Sequence, residues 1–361
     1  MMVIQTLFWH PTRMTENTAD VQPIVWRDGA LVLLDQTQLP LVETYVTITT
    51  TDALIDAIVR LVVRGAPALG AAGGYGVAIA MIEAERESLS AEQLTTNIQR
   101  IRDARPTAVN LAWGVDRVAP FVADGLVAVL AEAHAIAQED SRFNRTMAQH
   151  GADWLLQYCG DRPLRLLTHC NTGTLATTDW GTALGVIREL HARGKVELVY
   201  ADETRPLLQG ARLTAWELDR AGIPHVVQVD GAAASTILRG MVDAALIGAD
   251  RIAANGDSAN KIGSVGVALA CKDAGIPFMV VAPWSTIDVS TNHGDDIHIE
   301  LRSSDEVTVI ANTRVAPANT EGFNPAFDVT PARLISAIAT EKGIIEIAQG
   351  ESPSTWVAHA E

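Results

Sequence analysis

Apolar positions along the chain change their period near residue 160, and the change divides it into two parts. From Ile24 to Thr50 the pattern is strand-like, with Asp28-Gly29 between two β-rich runs, which predicts a β-hairpin. Thr51 and Asp52 then supply a helix start, and Leu54, Ile55, Ile58, Leu61 and Val62 recur at helical spacing up to Arg64. Ser90 with Gln93 spells a capping box ahead of Leu94, Ile98 and Ile101, and Val115 to Leu156 reads as largely helical. Residues 1–22 are thus expected to be an N-terminal extension and 23–150 a mostly helical domain opened by a β-hairpin.

Beyond Asp161-Arg162-Pro163, short apolar runs alternate with helical stretches, as in a parallel sheet with crossover helices. The strands predicted are Leu164–His169, Val196–Ala201, His225–Val229, Ala244–Ala249 and Pro277–Ala282, with helices stopping at Gly194, Gly222 and Gly275. An α/β domain over residues 151–361 is expected. Trp284 to Asn324 reads as irregular, and a final helix from about Thr330 to Lys342 is expected to pack back on the sheet. The uncharged run from Gly65 to Ile82 approaches membrane length, but Pro67 and the glycines at 65, 70, 73, 74 and 76 mark a tightly packed buried helix instead.

Composition narrows the function classes. With 48% apolar and 19% charged residues among 361, and a mean hydropathy of +0.15, the chain can fill large cores, which excludes a coiled coil or a disordered tract. The formal charge of −16 repels a phosphate backbone, so nucleic acid is not an expected partner. Cys159, Cys170 and Cys271 form no CxxC pair and no zinc-spaced cluster. Neither a disulfide framework nor a structural metal is indicated, and a reducing cytoplasm fits. The first residues carry no basic region of the export type.

In open α/β sheets the chemistry gathers at the carboxyl ends of the strands. Here the first strand ends in His169-Cys170-Asn171-Thr172-Gly173, the second in Asp202-Glu203-Thr204-Arg205, the third in Asp230-Gly231 and the fourth in Gly248-Ala249-Asp250-Arg251. Cys170 ahead of a Thr/Gly turn and a helix has two readings, an activated thiol at a helix N-terminus or a merely buried cysteine. Arg64-Gly65-Ala66-Pro67 opens a Pro-started helix, which suits a phosphate, or else its small residues only permit close helix packing. It is neither a Walker loop nor a dinucleotide fingerprint, which disfavours ATP and NAD. Arg105, before Pro106, stands where it can join Arg64. Asn260-Lys261 is placed at the start of a helix, adding an amide and a cation at the mouth of the fourth strand.

Taken together, Arg64-Gly65-Ala66-Pro67, His169-Cys170-Asn171-Thr172-Gly173, Thr204-Arg205-Pro206, Gln209-Gly210-Ala211-Arg212-Leu213-Thr214, Gly248-Ala249-Asp250-Arg251-Ile252 and Asn260-Lys261-Ile262-Gly263 resemble the methylthioribose-1-phosphate isomerase family over residues 23–345. The resemblance implies a helical N-terminal domain, a Rossmann-like C-terminal domain, a homodimer, a sugar-phosphate substrate of methionine salvage, and no metal or organic cofactor. By the same resemblance Cys170 and Asp250 fall on the catalytic positions, and Arg64, Gly65, Ala66, Arg105, Gln209, Asn260 and Lys261 on substrate-binding ones. Residues 1–22 have no counterpart, and Asp179 stands where a small or apolar helix residue is expected. The wider superfamily holds isomerases of 5-deoxyribose 1-phosphate and ribose 1,5-bisphosphate, and non-catalytic regulatory subunits of an initiation-factor exchange complex. Such subunits are expected to lack the Cys and Asp pair that this sequence carries.

Overall fold

Asp28 and Gly29, at φ 52° and 77°, make the two-residue turn whose twist matches paired strands, and they join β1 (Ile24–Arg27) to β2 (Ala30–Leu34). A third strand, β3 (Tyr45–Ile48), extends the predicted hairpin to a three-stranded antiparallel sheet. The computed structural model describes residues 21–106 and 109–360, so nearly all of the expected extension over residues 1–22 lies outside the described residues.

Five helices follow: α1 (Thr51–Val59), α2 (Ala66–Glu87), α3 (Ala91–Arg102), α4 (Val109–Val118) and α5 (Leu126–Cys159). The capping box of Ser90 and Gln93 is formed at the start of α3. Helix α2 is apolar all round because it is enclosed all round. Ala71, Ala72, Val77 and Ala78 are wholly buried, and 78% of its most apolar window lies inside the fold.

The sheet that follows alternates cleanly between two cores. It contains β4 (Leu164–Thr168), β5 (Val196–Asp202), β6 (His225–Gln228) and β7 (Ala244–Ile247). After the short β8 (Arg251–Ala253) and β9 (Ser258–Lys261) the chain returns to it as β10 (Phe278–Val281). Then come β11 (Ile287–Asp288), a small β12 (Val309–Ile310)/β13 (Thr313–Arg314) hairpin, β14 (Phe327–Thr330), β15 (Ala337–Thr340) and β16 (Gly343–Ile345). The order across the main sheet is β16-β15-β10-β7-β4-β5-β6, parallel except for β16, while β11-β8-β9-β14 form a smaller sheet beside it. Leu166, Leu246 and Met279 face one apolar core and Leu167, Ile247 and Phe278 the other, the period-2 division that burial on both faces demands. The connecting helices are α6 (Ala183–Ala192), α7 (Ala215–Arg220), α8 (Ala233–Leu238) and α9 (Ser264–Ala274), with α10 (Asp305–Thr308) and α11 (Pro353–Ala360) beyond them.

The final helix expected from Thr330 to Lys342 is absent. That stretch ends β14, passes a single 3₁₀ turn and enters β15, which pairs in parallel with β10 and antiparallel with β16. Its Ala-rich sequence favours a helix locally, but Ala337, Ile338, Ala339 and Thr340 are all fully buried, which a sheet covered on both faces accommodates and a surface helix does not. The expected domain boundary at residue 150 falls inside α5. That helix packs Val129, Ala133 and Ile136 into the N-terminal core and Met147, Ala152 and Leu155 into a core of the sheet.

Candidate active site

All nine residues singled out in the sequence, Arg64, Gly65, Ala66, Arg105, Cys170, Gln209, Asp250, Asn260 and Lys261, line one cleft between the N-terminus of α2 and the carboxyl ends of the sheet strands. Arg302, Leu207 and Phe327 complete its wall.

Cys170 follows β4 and is 8% exposed. Its φ of 65° lies in the left-handed region, a costly conformation for a residue with a Cβ, so its surroundings must hold it there. They do so through the backbone: the Cys170 N–H donates to Thr204 Oγ1 at 2.8 Å, and Thr214 Oγ1 donates to the Cys170 carbonyl at 2.6 Å. Thr204, itself at φ 65°, donates on to the Asp202 carbonyl at 2.9 Å. The helix expected directly after Cys170 begins only at Ala183, so helix dipole is not what sets the thiol's field. The cation that faces it is Lys261, whose ammonium interacts electrostatically with both Cys170 and Asp250.

Asp250 follows β7. Burial pushes its carboxyl up from the ordinary range, against the opposing pull of Lys261, Arg105 and Arg64. Among the described residues its carboxyl oxygens have no hydrogen-bond partner. A carboxyl whose proton affinity burial raises, open to a cleft and near three cations, is placed to exchange a proton with a ligand.

The two readings of the Arg-Gly-Ala-Pro segment both contain part of the structure. Gly65 caps α2 at φ 91°, and a Cβ there would stand 2.3 Å from the Ala176 carbonyl oxygen, so only glycine lets the helix end press onto the loop after Cys170. Gly73 and Gly76 deeper in α2 serve packing against Leu111, Leu54 and Ile101. Arg64 is aimed from that helix end: its Nη1 donates to Asn171 Oδ1 at 3.0 Å and its Nη2 to the Asn171 carbonyl at 2.6 Å. Asn171 in turn donates to Glu217 Oε1 at 2.8 Å. Glu217, 2% exposed on α7, also accepts from the Thr174 N–H at 2.8 Å and from Arg188 at 3.0 Å. Asn171 thus fixes the Arg64 guanidinium at the cleft wall beside the first turn of α2, a helix start and a cation of the kind that suits an anion.

Arg105 is half-buried, and its desolvation lowers its pKa while Asp250 and Glu300 pull the other way. Gln209 precedes one turn of π-helix, Gly210–Thr214, and its Oε1 is buried without a partner among the described residues, an acceptor left for a ligand hydroxyl. Asn260 and Lys261 are not at the start of a helix as expected but on β9, with α9 beginning at Ser264. The strand serves because its neighbours β8 and β14 hold it on both sides. Asn260 Nδ2 donates to Ser264 Oγ at 2.9 Å, and Lys261 Nζ to the Ala326 carbonyl at 2.9 Å while lying 4.7 Å from the Phe327 ring centroid.

Asp179 is in a loop before α6, not in a helix; Ser141 Oγ and Arg145 Nη2 of α5 both donate to it at 2.8 Å, so its role is to tie that loop to α5. The sequence gives no part to Glu217, Arg302 or Phe327, and Thr214 enters only as the end of the motif that begins at Gln209. Arg302, paired with Glu306 and Glu300, sits in the stretch read as irregular, where no periodicity marks it. Glu217 carries only a faint signal, a lone acid on the inner face of a short helix.

Comparison with known proteins follows the same lines. The model of the initiation factor 2 subunit family matches residues 62–347. A probable bifunctional methylthioribose-1-phosphate isomerase/methylthioribulose-1-phosphate dehydratase of Nocardia farcinica is 51% identical over 94% of this chain, which spans 62% of that longer protein. Methylthioribose-1-phosphate isomerase 2 of Pseudothermotoga lettingae is 46% identical, with 89% of this chain and 94% of that one covered. Among solved structures, 5-methylthioribose 1-phosphate isomerase from Pyrococcus horikoshii has a TM-score of 0.80 at 38% identity, covering 90% of this chain and 92% of that one. A protein described as translation initiation factor eIF-2B subunit delta from A. fulgidus also has a TM-score of 0.80, at 41% identity, covering 90% and 96%.

Proposed function

We propose a function from one premise: the chain belongs to the initiation factor 2 subunit family and, within it, to the methylthioribose-1-phosphate isomerases. It is an aldose–ketose isomerase that converts 5-methylthioribose 1-phosphate to 5-methylthioribulose 1-phosphate in methionine salvage. The observation that carries the reading is the meeting of Cys170 and a desolvated acid, Asp250, in a cleft with four cations, Arg64, Arg105, Lys261 and Arg302. That pairing is what separates an isomerase from a binding-only member of the same family. A homodimer and a cytoplasmic location belong to the same proposal. Exposed Val227 and Val229 at the sheet edge and Leu238 on α8 offer an apolar edge for such a dimer.

The chemistry follows from the substrate. With phosphate on the anomeric oxygen, the sugar ring cannot open to a free aldehyde, so an acetal bond must be broken. Asp250 gives its proton to the ring oxygen, the bond from that oxygen to C1 breaks, and the developing positive charge at C1 is steadied by the bound phosphate. Hydrogen then passes from C2 to C1 with help from Cys170, the C2 hydroxyl gives up its proton, and Asp250 is reprotonated. Atoms and electrons balance within one molecule, so the reaction needs no external oxidant or reductant. Arg64 and the first turn of α2 hold the phosphate, Gln209 takes a sugar hydroxyl, and Leu61, Leu69, Val109 and Leu207 give the cleft an apolar side for the methylthio group.

Two expected results bear on this proposal. Arg64→Ala should raise KM and lower kcat/KM by about 2–3 kcal/mol, the worth of a charge-assisted contact, and inorganic phosphate should compete less well with substrate in the variant. Unchanged kinetics would reduce the segment to packing. Substrate choice is the second. An apolar pocket discriminates by only about 1–3 kcal/mol per small group, so 5-deoxyribose 1-phosphate should be a poorer substrate. Ribose 1,5-bisphosphate should be poorer still, since its second phosphate would be desolvated against apolar side chains. A kcat/KM comparison of the three sugars, with the ketose followed by NMR, tests the order. A win for the bisphosphate would keep the isomerase and overturn its place in methionine salvage.

A further inference from the structure

Beside Cys170 lies a second polar cluster, with a fully buried pair at its centre. His169, the residue before Cys170, and Asp202, the last residue of β5, are each 1% exposed. His169 Nδ1 stands 3.0 Å from Asp202 Oδ2, and its Nε2 stands 2.8 Å from the Ile262 carbonyl oxygen. A carbonyl only accepts, so Nε2 carries a proton. Nδ1 faces a carboxylate whose other oxygen, Oδ1, already accepts from Gln228 Nε2 at 2.9 Å. Two further acids face the ring. Asp230 after β6 accepts from the Thr204 and Arg205 N–H groups at 2.7 and 2.6 Å, and Asp328 on β14 accepts from the Gly263 N–H at 2.8 Å.

We propose that His169 is a doubly protonated, buried imidazolium and the positioning residue that ties together the three segments carrying Cys170, Thr204 and Lys261. Its backbone leads directly into Cys170. Its Nδ1–H holds Asp202, whose carbonyl anchors the Thr204 hydroxyl that receives the Cys170 N–H. Its Nε2–H holds Ile262, next to Lys261. The surrounding acids fix the loops on either side: Asp230 the Thr204–Arg205 backbone, Asp328 the start of α9. Burial opposes a charge on the ring, and Asp202, Asp230 and the Ile262 carbonyl outweigh it, so the His169 pKa is held above its ordinary value. Burial pushes the Asp202 carboxyl up as well, but a proton placed there would leave a neutral ring facing Asp230 and Asp328. His169, Asp202 and Asp230 also form a cluster of metal-ligating type, but the contacts just named already engage both ring nitrogens and all four carboxylate oxygens.

The positioning role rests on the isomerase proposal, whereas the protonation state does not, and the test separates them. In 15N-histidine-labelled protein without substrate, with the His169 signals assigned by their loss in His169→Asn, both ring nitrogens should read as protonated at pH 7. A deprotonated ring nitrogen at pH 7 overturns the proposal whatever the enzyme acts on, and requires no variant to be active. In Asp202→Asn burial is no longer outweighed, and the ring should lose its charge at or below the ordinary histidine value of about 6.5. Its kcat should then be about 10–100-fold below wild type at pH 8 and recover toward pH 5.5, with KM within about threefold. A pH-independent loss of kcat, or no loss, would reject the positioning role while leaving the isomerase assignment intact.

Discussion

Cys170→Ser should cost about 10³-fold or more in kcat at an unchanged melting temperature. The replacement is nearly isosteric, and the bonds that hold residue 170, from its N–H to Thr204 and to its carbonyl from Thr214, belong to the backbone and survive. What is lost is the group itself. A serine hydroxyl is many orders of magnitude less acidic than a thiol and takes up and releases a proton poorly near neutral pH, while a positioned acid–base group contributes about 10²–10⁴-fold. The other cysteines are internal controls. Burial pushes the Cys159 thiol up to about 11 and the Cys271 thiol up to about 12, and neither lines the cleft, so Cys159→Ser and Cys271→Ser should keep near-normal activity. Activity within tenfold of wild type in Cys170→Ser, at equal stability, would remove Cys170 from the mechanism.

The site was legible because strand ends are legible. Buried parallel strands read as short apolar runs, the residue after each run falls at the sheet's carboxyl edge, and Cys170 and Asp250 stand there. Asn260 and Lys261 line the cleft from β9 and not from a helix start, because a pair that follows the Gly256 loop reads as a helix entry when its strand partners, β8 and β14, lie outside any local window. The stretch from Thr330 to Lys342 failed for the same reason: Ala, Ile and Leu are compatible with either element, and only the pairing of β15 with β10 decides. Arg302 reaches the cleft from a segment with no periodic signal.

Electrostatics were legible only in the sum. A formal charge of −16 predicts a surface that repels phosphates, yet the cleft gathers Arg64, Arg105, Lys261 and Arg302 around one acid. Net charge excludes an extended polyanion, whose contacts spread over the whole surface, but it does not weigh against one phosphate in a partly enclosed site, where local charges are poorly screened.

Asp250→Asn should be inactive and more stable than the parent at alkaline pH. Asparagine fills the same volume but has no proton to give the ring oxygen, so kcat should fall by about 10²–10⁴-fold, the usual worth of a general acid. The stability change has a definite sign. Burial raises the folded-state pKa of Asp250, so the folded protein binds its proton more tightly than the unfolded chain, where an aspartate titrates near 3.9. Stability linked to this group is therefore full below the unfolded value and is lost as pH rises through the raised folded one. Asparagine mimics the protonated form at every pH and escapes that loss. Melting temperatures of the two proteins should converge below about pH 4 and separate above it, with the variant higher. In the parent, kcat/KM should fall as pH rises through the same raised pKa, since only the protonated acid opens the ring. A variant less stable than the parent at pH 8 would mean that the charged carboxylate, stabilised by Lys261, Arg105 and Arg64, is the resting form, and the acid role would pass to another group.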